Sequence, residues 1–68
     1  MKLFSINFEY MFPDGNRYYN DKAHVLAKDE ERANIVFREW VLNEEPDTIL
    51  TSVGITELPE VEQVLPNY

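Results

Sequence analysis

Phe4, Ile6, Phe8, Tyr10 and Phe12 alternate strictly with Ser5, Asn7, Glu9 and Met11. Period-two alternation sends every large apolar side chain to one side of an extended chain, which marks a half-buried β-strand. A strand with one such face needs a second layer to cover it. At 68 residues the chain has room for a single domain, and a domain this small hides only about 60% of its unfolded surface. The cover must therefore come from the segments that follow.

Pro13-Asp14-Gly15-Asn16 reads as a turn, with proline presetting the first corner and glycine suited to a left-handed position. Arg17 to Lys28 then runs back as a second strand. Tyr19, Ala23, Val25 and Ala27 face one way in it, and Tyr18, His24 and Leu26 the other. Asp29 is placed to cap a helix, with Glu30 and Glu31 at its positive end. Helical spacing aligns Ala33, Val36, Phe37, Trp40 and Val41 as the buried stripe. Pro46 stops this helix near Asn43 or Glu44. The β-branched stretch Thr48 to Leu58 reads as a third strand, in which Gly54 suggests a bulge or a close backbone approach.

The expected fold is α+β: β-β-α-β, a three-stranded antiparallel sheet in the order 2-1-3, with one helix crossing one face by a right-handed connection. Residues 1–58 form the domain. Residues 59–68 form a C-terminal tail, packed or partly helical, with Val61, Val64, Leu65 and Tyr68 at helical spacing.

Composition narrows the function. The chain has no cysteine and one histidine, His24, so thiolate, zinc and haem sites are not expected. No apolar run exceeds three residues, so neither a membrane span nor a secretory leader is expected, and the compartment is read as cytoplasmic. Asp21 and His24 fall on opposite strand faces, and no GxSxG, HExxH, glycine-rich loop or CxxC occurs. The reading is a non-enzyme with no cofactor and no metal. Glu44, Glu45 and Asp47 match no cation-binding loop and read as a solvated acidic turn.

Net charge is −7, and its distribution is uneven. All six bases lie within residues 1–38, where six acids balance them. The last 30 residues hold Glu39, Glu44, Glu45, Asp47, Glu57, Glu60 and Glu62 with no Lys or Arg. Direct binding to nucleic acid or to anionic lipid is not expected of such a chain. Either the acids steer a basic protein partner or they keep a small protein soluble.

An apolar anchor is visible on the helix. Ile35 and Leu42 lie two turns apart on the side opposite the core stripe, rimmed by Glu31, Arg38 and Glu39. Such a pair resembles an interface core with a polar rim, and Trp40 or Tyr68 is a further candidate for the anchor. Burying both would contribute about 3–6 kcal/mol before association entropy. The alternative is that the tail covers them with Val61, Val64 and Leu65. Phe12, Tyr18 and Tyr19 around Arg17 are either interface anchors or hairpin cross-strand pairs.

The layout resembles the small phage-encoded inhibitors of bacterial RNA polymerase. The similarity runs from Val25-Leu26-Ala27-Lys28-Asp29-Glu30-Glu31-Arg32-Ala33 through Glu39-Trp40 to the strand beginning near Thr48, about half of the chain. That family carries polymerase-binding arginines on its third strand, and Thr48 to Leu58 has none, so no binding residue carries over. The resemblance implies a compact phage-type inhibitor or adaptor that occupies another protein's surface. A basic site on a CRISPR effector or an RNA polymerase would be such a surface. The partner-binding residues expected are Ile35, Leu42, Glu31, Arg38, Glu39, Glu44, Glu45, Asp47, Glu57, Glu60 and Glu62. The alternatives are a nucleic-acid mimic with carboxylates replacing phosphates, and a small structural homodimer.

Overall fold

The computed structural model describes residues 1–15 and 17–59. Its elements are β1 (Lys2–Met11), β2 (Tyr19–Ala27), α1 (Glu30–Glu44) and β3 (Ile49–Glu57). The sheet has the order β2-β1-β3, and both neighbours run antiparallel to β1. The fold is thus the α+β arrangement that the alternation of β1 implies.

The hairpin register pairs Tyr10 with Tyr19, Phe8 with Asp21, Ile6 with Ala23 and Lys2 with Ala27. Its turn closes with the Gly15 N–H donating to the Phe12 carbonyl at 3.0 Å. No described glycine has positive φ. Gly15 therefore does not take the left-handed position expected of it; Pro13 supplies the corner, and Gly15 serves as the fourth residue of the turn.

On the other side of β1 the register slips by one residue between Glu9 and Tyr10. Ser52 faces Glu9 while Leu50 faces Tyr10, which makes Thr51 the extra residue of a bulge. The slip decides which side chain joins the core. A continuous ladder would place Thr51 opposite Tyr10, whereas the bulge delivers Leu50 to that row. Thr51 takes up the freed position, its hydroxyl 3.1 Å from the Glu9 carbonyl and 2.8 Å from Glu9 Oε1. Gly54 is regularly paired with Asn7, and a Cβ there would meet only the Asn7 carbonyl, at 3.9 Å. The bulge lies at Thr51, and Gly54 allows no unusually close approach.

α1 begins where Asp29 Oδ1 accepts from the Arg32 N–H at 2.8 Å. It ends as the chain before Pro46 is forced out of helical geometry, with Glu45 at φ −141° and ψ 76°. The buried core is Phe4, Ile6, Phe8 and Ala27 from the sheet and Ala33, Phe37 and Val41 from the helix. Val36 and Trp40, expected in the buried stripe, are instead partly exposed, Trp40 by 51%. The outer strands of a three-stranded sheet are roughly 10 Å apart, no wider than a helix with its side chains. Residues on the flank of α1 therefore overhang an edge, here above Ala23 and Val25 of β2.

The uncovered face carries Ser5, Asn7 and Glu9 in its middle. Leu3 and Met11 at its ends are half-buried rather than freely exposed, because register sets Leu3 beside Leu26 and Met11 beside Ile49. The tail and the cover it was expected to give Ile35 and Leu42 lie outside the described residues. Among the described residues no helix is long and apolar enough to cross a membrane.

Candidate protein-binding surface

Chain direction sets the geometry. β2 ends beside the start of β1, so α1 starts there and runs back toward the hairpin turn. The acidic C-terminal turn of α1 and the loop after it, which holds Glu44, Glu45 and Asp47, are brought up against Phe12, Pro13 and Asp14. Asp14, Glu45 and Asp47 line one concavity of about 560 Å³ with Phe12 and Pro13. α1 has no base in its last turn to offset the negative end of its dipole. Arg17, in the hairpin loop, and Arg38, which shares a hollow with Glu45, are bases near this end; among the described residues neither is within ion-pair distance of these carboxylates.

A second groove, about 210 Å³, lies between the sheet and the end of α1. Tyr10, Phe12 and Trp40 wall it, and Asp21, Glu44 and Glu45 rim it. The walls belong to a continuous ring system: Trp40 contacts Phe37, Phe37 contacts Phe8 at 4.8 Å, and Phe8 contacts Tyr10 at 5.6 Å. Tyr10 in turn stacks on Tyr19 at 5.4 Å and meets Phe12 edge-on at 5.8 Å. Tyr10 and Tyr19 are thus the cross-strand pair of the hairpin and Phe12 packs its ring against Tyr19, while Tyr18 stands out into solvent.

Ile35 and Leu42 are exposed by 38% and 64%. Glu31, Arg38 and Glu39 beside them are exposed as well. The Arg38 Nε donates to Asn34 Oδ1 at 2.8 Å, which holds the guanidinium along the helix. Arg38 and Leu42 line a further concavity of about 310 Å³ with Glu45 and Pro46. Glu45 borders all three hollows, so Leu42 and the acidic end form one connected surface.

The expected site residues do not all gather there. Glu57 lies at the other end of the sheet, 3.6 Å from Lys2 Nζ. Glu31 stands in the first turn of α1. Glu60 and Glu62 lie outside the described residues. Conversely, the sequence pattern assigns no binding role to Asp21 or Tyr10, and it counts Trp40 in the core stripe as well as among the anchors. Asp21 carried a readable signal, as the one charged member of the row Tyr19, Asp21, Ala23, Val25, Ala27 that faces the helix. His24 faces away on the open side, opposite Ser5. Among the described residues no cluster of three or more His, Asp or Glu side chains is arranged to hold a metal. Comparison of the chain with protein-family models, with curated proteins and with solved structures gives no match.

Proposed function

We propose that the protein is a non-catalytic binding module that occludes a basic site on another protein. The observation that carries this reading is the hairpin end. Five carboxylates (Asp14, Asp21, Glu44, Glu45, Asp47) border its hollows, and among the described residues none is within ion-pair distance of a base. Leu42 and Ile35 beside them supply apolar area for an anchor. A partner that handles nucleic acid must carry bases to meet phosphate, and this end complements such a cleft. A small phage-type inhibitor or adaptor acting on an RNA polymerase, a CRISPR effector or another defence protein fits that chemistry.

Asp29, Glu30, Glu31 and Glu57 lie at one end of a 15-residue helix roughly 22 Å long, and Asp14, Asp21, Glu44, Glu45 and Asp47 toward the other, with Glu39 between them on α1 and Glu9 on the open sheet face. That separation supports occlusion by one acidic end over a continuous phosphate-like stripe. The exposed Ile35 and Leu42 also support self-association as a second reading.

Capture from a nuclease-treated bacterial lysate tests both, using the full chain and an E44K/E45K/D47K variant. The expected result is a partner held near 0.1 M salt, released near 1 M, where screening shortens from about 10 Å to 3 Å, and lost in the variant. A partner that survives both high salt and the variant overturns the acidic reading. So does light scattering that shows a dimer and no captured partner.

A further inference from the structure

We propose that the aromatic groove between β1, β2 and the end of α1 is a receptor for an arginine side chain presented by the partner. The inference rests on the reading that the partner is basic, and it names where one basic side chain would enter. Register places Asp21 opposite Phe8, on the face of the sheet that α1 covers. A carboxylate in that row borders the same groove as Tyr10, Phe12 and Trp40. Glu44 and Glu45 reach the rim from the helix end, so the acids converge from two separate elements. Among the described residues Asp21 Oδ1 accepts from the neighbouring Lys22 N–H at 2.8 Å, which leaves most of the carboxylate's acceptor capacity open.

The ligand class follows from combining rings with carboxylates. A cation is drawn to ring faces, and the guanidinium is the cation that also stacks on them as a plane. Its fork of N–H donors matches carboxylate oxygens two at a time, which an ammonium cannot do. Half-exposed Trp40 provides one such face. A second explanation exists for Asp21 alone. β2 is an edge strand, and an inward charge discourages strand addition there. That explanation gives no role to Glu44, Glu45 or exposed Trp40, and the two differ in what Trp40 should report.

Trp40 is the single tryptophan of the chain, so its fluorescence and its indole N–H resonance report on the groove directly. The full chain is titrated with acetyl-Gly-Arg-Gly-Arg-Gly-amide and with the same peptide carrying citrulline, the uncharged isostere, for arginine. A saturable Trp40 change is expected with arginine, weaker by about tenfold with citrulline, as for loss of a charge-assisted hydrogen bond. Asp21→Asn and Glu44→Gln, both at exposed positions, should each weaken it several-fold, while Glu30→Gln, exposed at the far end of α1 and given no binding role, should leave it unchanged. An equal response to citrulline, no Trp40 response, or an equal loss in Glu30→Gln overturns the proposal. If Asp21→Asn leaves capture of the lysate partner intact while E44K/E45K/D47K abolishes it, the arginine receptor fails and the basic-partner reading stands. If the triple variant still captures the partner, that reading fails with it.

Discussion

The two ends of the layer between helix and sheet are built differently. At the end where α1 begins, Phe4 packs with Ala27 and Ala33, and both alanines are buried. Alanine in each layer lets the helix lie close to the strands, and the Asp29 cap and the Lys2–Glu57 pair finish the end with balanced charge. At the hairpin end the layers are held by rings, with Phe8 on Phe37 and Val41 and Leu50 beside them. Rings fill the middle of a narrow sheet but leave its flank unfilled, and there the acids gather, among the described residues, with no base in ion-pair distance. The same helix on the same sheet thus has a closed, charge-balanced end and an open, acidic one. The closed end serves stability, and the open end is the one we propose as the binding surface.

The largest test of this contrast is Phe37→Ala. Phe37 is 1% exposed and links Phe8 to Trp40. Its truncation should remove about 3–5 kcal/mol. A 68-residue domain has a total of only about 3–10 kcal/mol to lose. Urea unfolding should find the variant largely unfolded. A loss below about 1 kcal/mol would show that the rings are not what holds the open end together.

A smaller effect is expected at the closed end from Ala33→Leu, which adds volume where none is free. Ala33 has no exposed area, so the extra carbons must push α1 off Phe4 and Ala27. Overpacking of this kind costs about 1–3 kcal/mol. In a domain of this size that lowers Tm by roughly 4–8 °C per kcal/mol. An unchanged Tm would mean that the helix start tilts freely, and the closed end would then differ from the open one in side-chain size alone.

How much of this was legible in the sequence follows the strength of each local pattern. The alternation of β1 and the capping Asp29 each have one low-energy solution, so strand order and helix start could be read from them. The bulge could not. Whether Thr51 or Gly54 is the irregular residue depends on which of Leu50 and Thr51 completes the core beside Tyr10, and that is settled only when β3 pairs with β1. Trp40 was misplaced for a related reason. Helical periodicity tells which residues share a stripe, not whether the sheet beneath is wide enough to bury all of it. The outward pair Ile35 and Leu42 was legible because opposition to the core needs only the helical angle. Asp21 was written in the row facing the helix, but the alternation of β2 was too weak for a charge there to stand out.

The smallest expected effect sharpens the contrast most directly. Asn43 is exposed in the last turn of α1, which contains no base. Asn43→Lys adds a charge that the helix dipole favours, places it four residues after Glu39, and improves helix propensity. On stability alone the substitution should gain about 0.5–1 kcal/mol, shrinking at 1 M salt as screening removes the charge terms. The same lysine would place a positive charge beside Glu44 and Glu45 and should weaken both partner capture and the arginine-peptide response of Trp40. Opposite signs in thermal unfolding and in binding would mean that the bare acidic helix end is kept for its ligand at the expense of stability. If both improve together, the missing base has no functional cause, and the two ends differ only in packing.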